Sequence, residues 1–263
     1  MVLLNDQFTT NGSISTATTQ GLPTSARWYN GGLTADANVT SGTLVFGNIT
    51  TSSTRGGVAY FTSSGNYATL SNPGDYVKLS FSYSYGATDT DSNAFRFGLY
   101  SSNGSRLTTD NSGFNNAAVS PWYGYNVGST FGTVASTRYF IYDRTSGANN
   151  LVGVGNAQLG TGIIPSYSST ANTTYSASLT LTKTEAGVSA ESVINGLSLV
   201  REDTASPHTN FDTLTIMTSA DTVQSLTVSN VLLEYYAIPE PRTWALLGLG
   251  ALILGGMARR RRS

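Results

Sequence analysis

The sequence predicts an all-β fold, a two-sheet antiparallel sandwich, followed by one C-terminal transmembrane helix. Three observations predict the sandwich. Apolar and polar residues alternate with period two in several segments, polar turn residues separate these segments, and no 11-residue window before Trp244 has helical apolar spacing. Alternation gives a strand one buried and one solvated face, and many short strands with polar turns are typical of a sandwich.

The clearest strand is residues 77–85, where every odd position is apolar or aromatic and every even position is polar. Weaker alternation of the same kind predicts four more strands, and Asn, Gly, Pro and Asp mark the turns between strands. The stretch 101–133, rich in Asn, Ser and Gly, is predicted to form long loops over one face. The other predicted strands are residues 95–100, 139–142, 175–181 and 226–232, and the predicted turns are 72–75, 102–105 and 195–196.

The composition excludes several classes of protein. Of 263 residues, 11% are charged, none is cysteine and 28 are aromatic. A coiled coil needs far more Ala, Glu, Lys and Leu, and charge-driven disorder needs high net charge with few aromatics. Without cysteine, the chain has no disulfide, zinc–thiolate site or cysteine nucleophile. The single histidine, His208, is predicted to be an exposed loop residue, and one histidine is too few for a multi-histidine metal site.

Charge is distributed unevenly along the chain. Nine basic and 14 acidic residues precede Pro239, so the body carries a net charge of −5, whereas the remaining residues carry +4. An acidic body lacks the basic patch with which proteins bind phosphate backbones. The sequence therefore predicts no nucleic-acid partner.

The last 26 residues form three consecutive blocks. Pro239, Glu240 and Pro241 come first, an uncharged apolar run over residues 244–258 follows, and Arg259, Arg260, Arg261 and Arg262 come last. As a helix the run is about 22 Å long, shorter than the roughly 30 Å hydrocarbon core of a bilayer. Flanking side chains allow such a run to span, and the arginines place its C-terminal end in the cytoplasm. A buried core helix is the alternative. The predicted membrane-anchoring residues are Trp244, Leu246, Leu247, Leu249, Leu252, Ile253 and Leu254.

Pro239-Glu240-Pro241, the apolar helix and the arginine cluster together resemble the PEP-CTERM sorting domain of bacterial exported proteins. Ile238 and Arg242 depart from the commonest family pattern, which has Val before the motif and Ser or Thr after it. The resemblance implies export, transient anchoring in the inner membrane, processing by an exosortase near the motif, and release to the cell surface or an exopolysaccharide matrix. It divides the chain into an extracytoplasmic domain, residues 1–237, and a sorting segment, residues 238–263.

Export also requires an N-terminal signal, and residues 1–6 carry neither a basic region nor a long apolar stretch. We therefore expect the true start to lie upstream of Met1.

The body has a second, looser resemblance. Asp6-Gln7-Phe8 near the start, Ala26-Arg27-Trp28, the segment 95–100 and Ser229-Asn230-Val231 in the last strand are arranged as in LamG-like or concanavalin-like modules. This resemblance implies a jelly-roll-like sandwich. In jelly rolls the first and last strands often lie side by side, which would pair the stretch near Phe8 with residues 228–235.

Two groups of residues are candidate sites. Asp89, Asp91 and Asn93 have the alternating oxygen ligands of a Ca²⁺ loop, although a polar connecting loop is the alternative, because an EF-hand glycine and acidic ligand are missing. Aromatic residues offer a stacking platform for sugar rings, with core or rim packing as the alternative. The aromatic candidates are Trp28, Tyr29, Trp122, Tyr123 and Tyr125, and the loop-like group Trp122, Tyr123 and Tyr125 is preferred for a glycan contact.

No catalytic group is predicted. The five glutamates, at positions 185, 191, 202, 234 and 240, do not follow the Glu-x-Asp-x-x-Glu pattern of laminarinase-type hydrolases. The favoured hypothesis is an exported, non-catalytic protein of the cell surface or exopolysaccharide matrix, with the membrane and an exosortase as partners. A carbohydrate-binding module for matrix polysaccharide is the alternative, and a polysaccharide hydrolase or lyase is less favoured.

Overall fold

The structure, a computed structural model, contains two large β-sheets packed face to face. One four-residue helix, α1 (Ile14–Ala17), lies in the part of the chain that is described. The structure describes residues 1–31, 37–49, 54–87, 95–110, 114, 117–129, 139–145, 147, 151, 156–163, 170–218 and 224–239.

Eighteen strands are formed by these residues. They are β1 (Val2–Asp6), β2 (Gly12–Ser13), β3 (Trp28–Asn30), β4 (Ala37–Thr40), β5 (Thr43–Ile49), β6 (Arg55–Tyr60), β7 (Ala68–Thr69), β8 (Tyr76–Tyr85), β9 (Phe95–Ser101), β10 (Tyr123–Ser129), β11 (Phe140–Arg144), β12 (Asn156–Gln158), β13 (Tyr175–Lys183), β14 (Val188–Ile194), β15 (Leu197–Asp203), β16 (Asn210–Phe211), β17 (Thr213–Thr218) and β18 (Gln224–Tyr236).

The strands pair only in antiparallel fashion among the described residues. The larger sheet has nine strands in the order β15-β14-β13-β8-β18-β5-β4-β2, with β1 also paired to β18. The other has seven strands in the order β12-β11-β10-β9-β17-β6-β3, and β16 and β7 form a short separate pair. The predicted all-β, two-sheet antiparallel sandwich is therefore confirmed.

The last strand, β18, organises the nine-stranded sheet. One of its edges pairs with β8 over most of its length, while the other edge pairs first with β5 and then with β1. Asp6 lies opposite Val231, and Val2 lies opposite Glu234. The predicted pairing of the first and last strands is confirmed, although it involves residues 2–6 rather than Phe8.

Strand β8 shows why the alternation predicts the fold. Burial alternates strictly along its ten residues, with Val77, Leu79 and Phe81 buried between the sheets and the intervening residues half-buried on the other face. Burying one such side chain stabilises the fold by about 1.5–3 kcal/mol. A shift of one residue would expose this entire set, so the alternation also fixes the register.

A buried carboxylate joins the two sheets. Asp6 ends β1 in the nine-stranded sheet, and its Oδ2 atom accepts hydrogen bonds from Trp28 Nε1 (3.0 Å) and from the amide of Ala26 (3.1 Å). Trp28 belongs to β3 of the seven-stranded sheet and is fully buried in the core. Asp6 Oδ1 also accepts a hydrogen bond from the Phe8 amide, at 3.1 Å. The Asp6 carboxylate thus provides a hydrogen-bond acceptor for each of these three N–H groups, as buried polar groups require.

The seven-stranded sheet has a second core on its outer face. Val58, Tyr60, Tyr100 and Met217 project from the strands and pack against side chains of the segment 102–122. The prediction that this region lies over one face is therefore confirmed for its described residues 102–110, 114 and 117–122. It is wrong for Tyr123–Ser129, which form β10 inside the sheet.

Among the described residues, no helix is both long and apolar enough to cross a membrane. The predicted span, residues 244–258, lies outside them.

Buried tyrosines predict a loss of stability at alkaline pH. Burial raises the pKa of Tyr100 to about 12, and burial also raises the pKa values of Tyr60 and Tyr125. In the unfolded chain a tyrosine releases its proton near pH 10, so between about pH 10 and 12 the folded state binds more protons. The buried tyrosines should therefore make their full contribution to the free energy of unfolding below pH 10. Above pH 10 the free energy of unfolding should fall, by up to about 1.4 kcal/mol per pH unit for each such group.

Urea unfolding between pH 8 and pH 11.5 measures this effect. Tyr100→Phe should make the decline shallower than in the unchanged protein. Equal stability at pH 8 and pH 11.5 would contradict the account.

Candidate functional site

A cleft of about 740 Å³ lies at the β3 edge of the seven-stranded sheet, on its outer face. Its floor contains tyrosines from β3 and β6. Its walls are the stretch from α1 to Gln20, the turn that follows β6, and the segment 106–108. The residues that line it are Ser15, Thr18, Thr19, Gln20, Arg27, Tyr29, Tyr60, Thr62, Ser63, Ser64, Arg106, Leu107 and Thr108.

One wall of the cleft is fixed by an ion pair. Arg106 Nη2 lies 3.0 Å from Asp212 Oδ2, and the Asp212 side chain is only 1% exposed. Asp212 also accepts the amide of Ser102 at 2.7 Å, while Arg106 Nη1 donates to the carbonyl of Thr62 at 2.9 Å. The pair therefore holds the segment 102–106 and the turn after β6 together.

A second ion pair fixes the opposite wall. Arg27 Nη2 lies 2.9 Å from Asp110 Oδ2, and Arg27 Nη1 donates to the carbonyl of Ile14 (2.8 Å) and to Thr18 Oγ1 (3.2 Å). Asp110 also accepts the amide of Asn30 at 3.1 Å. Arg27 thus joins α1 to β3 and to the end of the segment 102–110.

Each arginine also packs on a tyrosine ring. The Arg106 guanidinium carbon lies 4.5 Å from the centre of the Tyr60 ring, and that of Arg27 lies 5.1 Å from the Tyr29 ring. Tyr60 is buried and its hydroxyl accepts the amide of Leu107 at 2.6 Å, so it is part of the floor. Tyr29 is half-buried and lies 5.8 Å from Tyr60, ring centre to ring centre. Tyr29 is therefore the aromatic ring of the cleft that is partly open to solvent.

The cleft also presents free hydroxyl groups. Within the described part of the chain, the side-chain hydroxyls of Thr19, Ser64 and Thr108 make no hydrogen bond, and all three residues are exposed. A hydroxyl both donates and accepts, so three of them around an aromatic ring suit a ligand that carries hydroxyls of its own. None of the described residues that line the cleft is Asp or Glu.

The predicted glycan contacts are not in this cleft. Trp122 and Tyr125 are fully buried, so the prediction that they contact a glycan is wrong for both. Trp122 donates from Nε1 to the carbonyl of Ser105 at 2.6 Å, and the Tyr125 hydroxyl donates to Asp203 at 2.8 Å. Both rings serve the cores, because a buried aromatic with a polar group packs best when that group is paired.

Tyr123 and the only histidine lie together elsewhere. Tyr123 is half-buried, with its ring centre 4.9 Å from that of His208. His208 Nε2 lies 2.7 Å from Asp143 Oδ1, and the side chain of His208 is only 15% exposed. His208 lies in a loop, as predicted, but the prediction that it is exposed is wrong, because its ring is held between a carboxylate and aromatic rings.

Several other predicted site residues fall outside the described residues. These are Asp89, Asp91 and Asn93 of the predicted Ca²⁺ loop, Glu240 and Pro241 of the sorting motif, the anchor residues from Trp244 to Leu254, and the arginines 259–262. Among the residues that are described, no group of three or more His, Asp or Glu is arranged to hold a metal ion.

The sequence did not single out the residues that build the cleft walls. Arg27 and Asp110 are 83 positions apart, and Arg106 and Asp212 are 106 apart, so no local motif joins them. The sequence gives only an indirect indication of these ion pairs. In a chain with 11% charged residues, an isolated arginine within an apolar or polar neutral stretch often has a buried partner.

A second cleft, of about 410 Å³, lies on the outer face of the nine-stranded sheet. Short polar side chains such as Ser80, Ser82 and Ser178 line it. The aromatic residue among its described lining, Phe81, is buried between the sheets. This cleft lacks an accessible ring, and we consider the first cleft the better candidate site.

Two solved structures have the same fold as this chain. The Emp47p carbohydrate recognition domain has a TM-score of 0.52 and 8% identity, over 86% of this chain and 95% of that one. The metal-free Emp46p carbohydrate recognition domain has a TM-score of 0.51 and 10% identity, over 88% of this chain and 98% of that one. The two share one fold with this chain. The concanavalin-like jelly-roll body that the sequence resembles is confirmed at the level of fold. No protein-family model matches the chain, and no curated protein sequence matches it.

We predict that Asp212→Ala weakens the wall of the cleft. The change leaves the Arg106 charge and the Ser102 amide without their buried partner, which typically costs about 3–5 kcal/mol. Urea unfolding should show this loss, and hydrogen exchange should show faster exchange at Ser102. Asp212→Asn, which keeps the size and shape of the side chain, should lower the free energy of unfolding by less than Asp212→Ala does.

The matched control is Glu202→Ala, which removes a carboxylate from an exposed position. It should change the free energy of unfolding by less than about 0.5 kcal/mol. A loss below about 1 kcal/mol for Asp212→Ala would show that the pair does not hold the wall.

Proposed function

We propose that this protein is a non-catalytic carbohydrate-binding protein and that its sugar ligand lies in the cleft between Arg27 and Arg106. The observation that carries the proposal is the combination of a partly open tyrosine ring, Tyr29, with three unpaired hydroxyls around it. A pyranose offers C–H groups to an aromatic face and hydroxyls to polar side chains, so it matches this lining.

The fold supports the proposal in a general way. Two solved structures that resemble the chain over most of its length are carbohydrate recognition domains. Their identity to this chain is 10% or less, so they support the fold, and the ligand rests on the residues of the cleft.

The lining favours binding over hydrolysis. A glycoside hydrolase of the usual kind uses two carboxyl groups that flank the scissile bond. Neither Asp110 nor Asp212 lines the cleft, and each is paired with an arginine that does. We therefore propose binding without catalysis.

We further propose the cellular setting that the C-terminal motif implies. In this proposal the PEP-CTERM segment, residues 238–263, directs an exported domain to the membrane, an exosortase processes it, and the released domain binds polysaccharide at the cell surface or in the matrix. The end of the domain is compatible with such processing. The amide of Ile238 donates to the buried carboxylate of Asp75 at 2.7 Å, so a hydrogen bond attaches the residue directly before Pro239 to the sandwich.

A direct binding measurement tests the carbohydrate proposal. Native electrophoresis in gels that contain a panel of bacterial polysaccharides should retard the full chain in at least one gel. The double variant Ser64→Leu/Thr108→Leu removes two cleft hydroxyls and should weaken binding about tenfold or more, since each hydrogen bond contributes about 0.5–1.5 kcal/mol.

The matched control is Thr204→Leu/Ser206→Leu, which makes the same kind of change on an exposed loop that does not line the cleft. It should bind as the unchanged protein does. If no polysaccharide or oligosaccharide retards the protein, the proposed function is wrong.

The sorting proposal has its own test. In cells that produce an exosortase, mass spectrometry of the surface fraction should find a C-terminal peptide that ends near Pro241 instead of at Ser263. A variant with Pro239, Glu240 and Pro241 changed to alanine should keep its arginine tail. Protein confined to the cytoplasm with the tail uncut would refute the proposal.

A further inference from the structure

We infer that the cleft selects an uncharged sugar, one without carboxylate or sulfate groups, and that the sugar ring packs on Tyr29. This inference rests on the proposed function and specifies its ligand class. Two arginines line the cleft, which at first sight favours an acidic glycan, because arginine binds carboxylates and sulfates well. The contacts of these arginines lead to the opposite conclusion.

Both terminal nitrogens of Arg106 already contact groups of the protein, and its Nε atom, which has no hydrogen-bond partner among the described residues, is buried. Its Nη1 atom donates to the carbonyl of Thr62, and its Nη2 atom contacts Asp212 at 3.0 Å and the carbonyl of Ser63 at 3.1 Å. Two-pronged binding of an anion requires two adjacent N–H groups that are free to point at it. Arg106 therefore has no free pair of terminal donors for a ligand.

Arg27 is committed in the same way. Its Nη1 atom donates to the carbonyl of Ile14 and to Thr18 Oγ1, and its Nη2 atom donates to Asp110. The side chains of Arg27 and Asp110 are only 22% and 18% exposed. To bind a ligand carboxylate end-on, through both terminal nitrogens, Arg27 would have to release a contact of Nη1 that holds α1.

The charges of the cleft also balance. Each guanidinium lies within 3.0 Å of its own aspartate, so the two walls carry two neutral pairs and no net charge. An acidic sugar that entered the cleft would lose hydration of its charge without gaining an unpaired cation. An uncharged sugar avoids this cost.

The groups that remain free suit an uncharged sugar. They are the hydroxyls of Thr19, Ser64 and Thr108, each of which both donates and accepts, and the partly open ring of Tyr29. The Arg27 guanidinium against the Tyr29 ring keeps that ring in one orientation. The arginines thus shape the walls and support the ring, and the hydroxyls face the ligand.

The experiment is a glycan array probed with the full chain, in which neutral oligosaccharides such as glucans, mannans and galactans are compared with uronate-containing and sulfated ones. We expect the strongest binding among the neutral glycans. For the best of them, Tyr29→Ala should raise the Kd about tenfold, because it removes the ring on which the sugar packs, and Tyr29→Phe should stay within about threefold, because Phe keeps that ring.

Tyr236→Ala is the matched control, since Tyr236 is an exposed tyrosine far along the chain in β18 and outside the cleft lining. It should leave the Kd unchanged, and thermal unfolding of each variant checks that it is folded. Binding to acidic glycans alone, or a Kd that a folded Tyr29→Ala variant leaves unchanged, would overturn the inference while the proposed function stands. Binding to no glycan at all would overturn both.

Discussion

The buried carboxylate of Asp212 is the contact on which the candidate site depends. It lies between β16 and β17, accepts donors from Ser102 and Thr213, and pairs with Arg106. Through Arg106 it also fixes the turn after β6. A buried charge is stable only when paired and hydrogen-bonded, so this carboxylate fixes two separate loops at once and gives the cleft a stable wall.

The sandwich provides the frame to which these loops are attached. Alternating strands such as β8 bury one face between the sheets, and β18 joins the start of the chain to its centre by pairing with β1, β5 and β8. The seven-stranded sheet differs from a simple sandwich layer, because its outer face also carries apolar side chains, and described residues between 102 and 122 cover them, including Leu107, Val119 and Trp122. The cleft lies where that cover ends, beside the edge strand β3. The position of the cleft therefore follows from how far the apolar surface of the outer face, and the segment that covers it, extend toward β3.

Sequence patterns predict the frame far better than the site. The alternation in residues 77–85 and 175–181 depends only on neighbouring residues, and both segments are strands with the expected buried faces. Tyr29 is one of several aromatic candidates, and the sequence favours Trp122, Tyr123 and Tyr125, because a loop-like stretch rich in Gly and Asn suggests exposed rings. Of these three, Trp122 and Tyr125 are fully buried. Burial of those two rings results from long-range packing, on Tyr60 for Trp122 and on Phe211 for Tyr125, which no local pattern contains.

The most direct test of the account is a crystal structure of the protein with a neutral oligosaccharide that it binds. We expect the sugar in the cleft, with one ring packed on Tyr29 and its hydroxyls within hydrogen-bonding distance of Thr19, Ser64 or Thr108, and with both arginine–aspartate pairs intact. A sugar bound on another surface, such as the serine-lined face of the nine-stranded sheet, with the cleft free of ligand, would contradict the account.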